Sequence, residues 1–167
     1  MHSFPRSIPL AVDSRNMKTG KALLVSIRPR FAQQIFAGTK TVELRRIRPR
    51  VQAGDLVVVY ASGEQKALVG AFQIAKVYAA SPNSIWRRFG TKTGITKAEL
   101  DIYYSGLETG FAIEVERTWR LPAPVDLAAL RRQRGGFHAP QSYRYLDLGE
   151  VLKLGGEALL GGSGRDR

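Results

Sequence analysis

Phe36-Ala37-Gly38-Thr39-Lys40-Thr41-Val42-Glu43-Leu44-Arg45-Arg46 is the stretch on which the reading of this chain turns. Its first residues end a helix, Gly38 stops that helix, and a short strand follows. In a regular strand Thr39, Thr41, Glu43 and Arg45 point to one face and Lys40, Val42, Leu44 and Arg46 to the other. That alternation sets Lys40 against Glu43 and Arg45, so either a bulge realigns the three or Lys40 works alone. Lys, Glu and Arg within six residues of one strand suit two readings: a charged edge strand that resists aggregation, or a site.

Charge grows around the stretch. Between Arg28 and Arg50 stand seven basic residues (Arg28, Arg30, Lys40, Arg45, Arg46, Arg48, Arg50) and one acid, Glu43, an excess of six in a chain whose formal charge is +12. A basic surface of this kind draws polyanions through long-range attraction and counterion release, which places RNA among the expected partners. The competing reading is a solvated loop. No run approaches the roughly 18 apolar residues of a membrane span, so no membrane role is expected. The chain has no cysteine, which excludes disulfides, thiolate metal sites and a cysteine nucleophile and fits a reducing, cytoplasmic setting. His2 and His138 are far apart, and no serine sits in a G-x-S-x-G elbow. No cofactor is expected. A divalent metal stays open as a requirement, although no ligand cluster is visible.

Outward from the opening stretch, Ala22 to Ile27 is an almost unbroken apolar run, as in a strand buried on both faces. Arg28-Pro29 opens a helix with proline at its first position, and Phe31, Ile35 and Phe36 share its inner side. Gly54-Asp55 turns into a second buried strand, Leu56 to Ala61. Gly63 to Lys66 makes a hairpin to a third, Leu68 to Val77. Ser81-Pro82 starts a helix through Phe89, and Thr96-Lys97-Ala98-Glu99 is a capping box for a helix to about Tyr104. Gly90-Thr91-Lys92-Thr93-Gly94 lacks the order of a phosphate loop and reads as a flexible loop. Thr109 to Trp119 alternates as a long strand that Pro122 and Pro124 should end. Leu127 to Arg132 is a short helix. Residues 1–20 read as a flexible leader, 21–150 as the one folded domain and 151–167 as a Gly-rich tail.

Gly38-x-Lys40-x-x-Glu43-x-Arg45 resembles the G-x-K-x-x-E-x-R signature of the ASCH domains, a branch of the PUA-like superfamily. The flanks are similar too: Leu23 to Pro29 resembles the first strand and helix, Gly54 to Ser62 the next turn and strand, and Val69-Gly70-Ala71-Phe72 the strand after. Phe137 to Leu146 resembles the closing segment, in which Pro140-Gln141 precedes a last strand-like stretch. The resemblance implies an α+β fold: a small PUA-like β-barrel of about five to six mostly antiparallel strands with three to four short helices around it. It also implies a cleft that binds or processes RNA, a nucleotide or a modified nucleoside.

Lys40, Glu43, Arg45 and Ser105 are then the candidate catalytic residues. Lys40 can stabilise developing phosphorane charge, Glu43 can act as general acid or base, Arg45 can fork onto phosphate or lock Glu43, and Ser105, Ser142 or Tyr104 can orient a 2′-hydroxyl. Candidate RNA-binding residues are Arg28, Arg30, Arg46, Arg48, Tyr60, Ser62, Tyr104, Ser142 and Tyr143. Tyr60, Tyr103, Tyr104, Tyr143 and Tyr145 supply rings for base stacking. The resemblance carries two chemistries. One is ribonuclease action on single-stranded RNA. The other is removal of acetyl from N4-acetylcytidine by a Lys, a Thr three residues on and a later Glu. Lys40 matches that Lys, but Glu43 stands at the Thr position and Thr93 near the later Glu. A binding module without catalysis is the third reading.

Overall fold

The computed structural model describes residues 21–161. Six strands form one mixed sheet: β1 (Lys21–Ile27), β2 (Val42–Arg45), β3 (Leu56–Ala61), β4 (Ala67–Ala80), β5 (Gly110–Asp126) and β6 (Tyr143–Asp147). Their order across the sheet is β2-β5-β4-β3-β1-β6. Only β1 and β3 run parallel; every other pair is antiparallel. The helices are α1 (Pro29–Ala37), α2 (Pro82–Phe89), α3 (Lys97–Tyr103), α4 (Leu127–Gln133) and α5 (Leu148–Gly155). The α+β architecture expected from the sequence is therefore present, and the mostly antiparallel strands of the expected small β-barrel form an open sheet. Its two edges still meet through side chains: Arg45 on β2 donates to Ser142, just before β6, at 3.1 Å.

The continuous apolar runs have a plain cause. Leu23, Val25, Val57, Val59, Phe72 and Ile74 fill one face of the sheet and pack with Ala32 and Ile35 of α1. Leu24, Val58, Tyr60 and Ala71 fill the other, packed with Leu130 of α4 and Val151 and Leu154 of α5. Central strands covered on both sides have no wet face on which to alternate. A third cluster joins Val42, Leu44 and Ala112 to α2 and α3 through Ile85, Phe89, Leu100 and Tyr104. No helix among the described residues is long and apolar enough to cross a membrane.

Two expectations are corrected. Pro122 and Pro124 do not end β5, which continues to Asp126. Gly70 pairs with Arg120 and Leu68 with Val125, so β5 bulges between these points. Both prolines are exposed in that bulge, where no ladder donor is needed. Residues 151–161 are not a tail: α5 and a 3-10 turn at Glu157–Leu160 bury Val151, Leu154 and Leu159. The glycines that suggested a tail include Gly156 and Gly161, which sit at the ends of these elements with φ of +69° and +70°. Residues 1–20, expected from the sequence to be a leader, and residues 162–167 lie outside the described residues.

Candidate functional site

A cleft of about 340 Å³ opens where the end of β1, the start of α1, β2 and α3 converge. Each wall has a local reason to be there. Pro29 fixes the first turn of α1 directly after β1, which puts Arg28, Arg30 and Phe31 at the rim. Gly38, at φ +83°, takes the left-handed turn that ends α1 and sends the chain toward β2. On the far wall the capping box is complete: Thr96 accepts from Glu99 N, and the Glu99 side chain accepts from Thr96 N. It starts α3 beside the cleft, with Ile95, Glu99 and Tyr103 in the lining.

The phase conflict read from the sequence resolves simply. The strand starts at Val42, so Lys40 lies in the irregular link before it and is free of its alternation. Lys40 is 4% exposed, and its Nζ donates to Val42 O at 2.7 Å and Thr93 O at 2.6 Å. The same Nζ stands 3.4 Å from Glu43 Oε2. Glu43 Oε1 accepts from Arg45 Nη2 at 3.0 Å, and Arg45 Nη1 donates to the Ser142 hydroxyl. One carboxylate is thus held between two cations in the cleft floor. Removal from water lowers the pKa of Lys40 below its usual range, and the charge of Arg45 adds to the effect, while Glu43 opposes it. Two polar atoms stay unsatisfied: Glu43 Oε2, which accepts no hydrogen bond of good geometry despite its ion pair, and Arg45 Nε. Orphaned buried polar atoms of this kind are expected where a ligand completes the set.

Around this floor the lining carries Arg28, Arg30, Lys40 and Arg45 against Glu43 and Glu99, so it favours an anion. Phe31 and Tyr103 give it aromatic walls. Tyr103 donates its hydroxyl to Leu44 O at 2.9 Å, which fixes its ring over β2. Burial raises the pKa of that phenol, so it stays a neutral donor. Arg30 pairs with Glu99 across the mouth at 3.1 Å. Among the described residues, no three His, Cys, Asp or Glu side chains cluster to hold a metal ion.

The sequence-derived candidates divide. Arg28, Arg30, Lys40, Glu43 and Arg45 meet at the cleft, and Ser142 joins them through Arg45. Tyr60 does not: it is 3% exposed in the core on the other face of the sheet, against Phe137. Tyr104 does not: it is 2% exposed, and its hydroxyl is spent on Phe111 O at 2.8 Å. Arg46 turns away to bond the main-chain oxygens of Tyr103 and Ser105, which leaves Ser105 a structural acceptor outside the lining. Ser62 follows β3, where its N–H donates to Ile27 O at 2.8 Å, and it does not line the cleft. Arg48 is exposed on the β2–β3 loop and Tyr143 is half-buried on β6; both stand outside the lining. Sequence reasoning missed Phe31, which its helix position marked as core, and Glu99, whose capping role concealed its place in the wall.

Comparison with known proteins adds a consistent frame. A family model described as "Domain of unknown function (DUF365)" matches residues 21–133. An "ASCH domain-containing ribonuclease" of Zymomonas mobilis is 29% identical over 136 residues, which is 80% of this chain and 90% of that protein. The large ribosomal subunit protein uL22 of Ureaplasma parvum is 28% identical over 130 residues; the match spans 77% of this chain but only 40% of that protein. Among solved structures, a crystal structure of ASCH from Zymomonas mobilis superposes with a TM-score of 0.76 at 28% identity, covering 81% of this chain and 94% of that one.

Proposed function

The chain belongs to the DUF365 family and carries an ASCH domain, and from that premise we propose that it binds single-stranded RNA in the Lys40–Glu43–Arg45 cleft and cleaves it. The observation that carries this reading is the buried carboxylate held between two cations in the floor of a cationic cleft. The name of the Zymomonas relative supports the choice of reaction.

In the proposed reaction a ribose 2′-hydroxyl attacks the adjacent phosphorus and the P–O5′ bond breaks. The products are a 2′,3′-cyclic phosphate and a 5′-hydroxyl end. Lys40 and Arg45 offset the charge that grows on the phosphoryl oxygens. Glu43 takes the 2′ proton through Oε2, the oxygen that accepts no hydrogen bond. Lys40, a stronger acid than an exposed lysine because burial lowers its pKa, supplies a proton to the departing O5′. Ser142, exposed and held by Arg45, orients the sugar.

The test incubates end-labelled single-stranded RNA with wild type, Glu43→Gln and Ser142→Ala, with and without Mg²⁺, at a temperature below every melting midpoint. The reading predicts that wild type yields fragments with cyclic phosphate ends. Glu43→Gln should bind without cutting, and a 2′-deoxy substitution at the cut site should block cleavage. RNA that is shifted but intact with wild type reduces the protein to a binding module. Intact, unshifted RNA together with turnover of free N4-acetylcytidine would move the activity to modified nucleosides.

A further inference from the structure

Beyond the cleft, and resting on the RNA reading above, we infer that the site continues across the Arg45–Ser142 bridge into a second subsite. It takes the neighbouring nucleotide of a single-stranded RNA and is formed by the Tyr143–Tyr145 ring pair and the arginine loop at Arg48 and Arg50.

The placement comes from strand register. Tyr143 pairs with Val25 and Tyr145 with Leu23. Both rings therefore stand on the sheet face whose core holds Leu23, Val25 and Ile27, the same face on which Ile27 and Arg28 lead into the cleft. Ser142, the acceptor for Arg45 in the cleft floor, is the residue before Tyr143. A chain that leaves the cleft past Ser142 meets these rings next. They stand with centroids 5.9 Å apart at 76°, half-buried on an edge strand.

The loop after β2 supplies the charge. The Arg50 main-chain N–H donates to the Tyr145 hydroxyl at 2.7 Å, which fastens the loop to the ring pair. A groove of about 470 Å³ runs along Arg48, Pro49, Arg50, Val51 and Gln52. No acid occurs in residues 45–52 or 140–146, and no carboxylate among the described residues pairs with Arg48 or Arg50. Ile47, in the same loop, is 69% exposed and offers an apolar contact for a base. Burial raises the pKa of the Tyr143 phenol, the neighbouring Tyr145 raises it further, and the charges of Arg45 and Arg50 oppose the rise. Unpaired guanidiniums beside accessible rings are the chemistry that holds an unstacked nucleotide: phosphate to arginine, base to ring. Duplex RNA fits less well, because its bases are not free to stack.

The experiment measures binding of labelled 2′-O-methyl oligonucleotides, which resist the proposed cleavage, by anisotropy across a range of salt. The probes are a mononucleotide and a tetranucleotide. Arg48→Ala/Arg50→Ala should weaken tetranucleotide binding and reduce the slope of log K against log salt by about 1.4, two phosphate contacts on single-stranded nucleic acid. Tyr143→Leu, which keeps apolar packing, should weaken the tetranucleotide about 5- to 150-fold, the range for loss of one stacked base. Mononucleotide binding should be unchanged in both. Arg131→Ala/Arg132→Ala, an equal charge loss at α4 on the other face, should leave both probes unaffected. If that control matches the Arg48/Arg50 pair, or if wild type binds both probes with one affinity and one salt slope, the second subsite is overturned and the cleft reading stands. If wild type binds neither probe, both fall together.

Discussion

Lys40 donates to two main-chain carbonyls and faces a carboxylate, so its charge organises the cleft floor before any ligand arrives. Glu43→Gln removes the one anion between two buried cations. Breaking a buried ion pair in this way costs about 3–5 kcal/mol, which should lower the melting midpoint by roughly 10 °C; calorimetry of the pair of proteins checks it. A loss under a degree would mean that the set is solvated rather than buried. Burial also gives Lys40 a pH signature. Its folded pKa lies below the ordinary lysine value of 10.5, so between the two values the unfolded chain holds the extra proton. Stability contributed at this position therefore rises with pH across that window. Urea titrations at pH 7, 8.5 and 10 should show the stability difference, wild type minus Lys40→Met, growing with pH. Three of the signature's consequences were legible in the sequence: the Gly38 stop, the strand and the gathering of charge in one cleft. The geometry of Lys40 was not, because a periodicity argument assumes a regular strand and the strand begins two residues later. Tyr60 and Tyr104 misled for a related reason. A ring suited to stacking and a ring suited to a core have the same side chain, and only the fold tells them apart.

At the scale of elements, the cleft depends on α3 starting where it does. Thr96→Ala removes the hydroxyl that caps Glu99 N and loosens Glu99. The expected cost is about 1 kcal/mol, as for other N-caps, read by denaturant unfolding. A fall in RNA affinity larger than the stability loss explains would mark α3 as a working wall of the site. The β4–β5 ladder makes a sharper prediction. A Cβ at Gly70 would meet the Trp119 carbonyl and the Phe36 ring. Gly70→Ala should therefore destabilise by about 1–3 kcal/mol through overpacking, whereas Pro122→Ala, in the exposed bulge, should change stability by less than about 0.5 kcal/mol. Most elements could be read beforehand because their ends are signed locally: Pro29, Ser81-Pro82 and the capping box. The extent of β5 could not. A proline inside a strand is tolerated only at a bulge, and the bulge is set by β4 opposite, far away in sequence. The glycine-rich end misled as well, since glycines that cap helices and glycines in a tail look alike without the packing of Leu154 and Leu159.

For the molecule as a whole, a formal charge of +12 guarantees some attraction to any nucleic acid, so affinity alone does not distinguish a site from a surface. The distinction lies in the curl of the sheet. It brings β2, at one edge, to the segment before β6, at the other, and sets Arg45, Ser142 and the arginine loop along one path. Integrity of that curl draws on residues far from the cleft. Leu154→Ala, on α5 against the opposite face, should cost about 2–5 kcal/mol as other buried leucines do, measured by urea unfolding. The most direct test of the account is a crystal structure of the protein with a short oligoribonucleotide made uncleavable by 2′-deoxy substitution. The account predicts one phosphate within hydrogen-bond distance of Arg45 and Ser142, a nucleotide in the cleft beside Phe31 and Tyr103, and the next base against Tyr143. RNA lying instead along α4 and Arg131, with the cleft floor untouched, would contradict it.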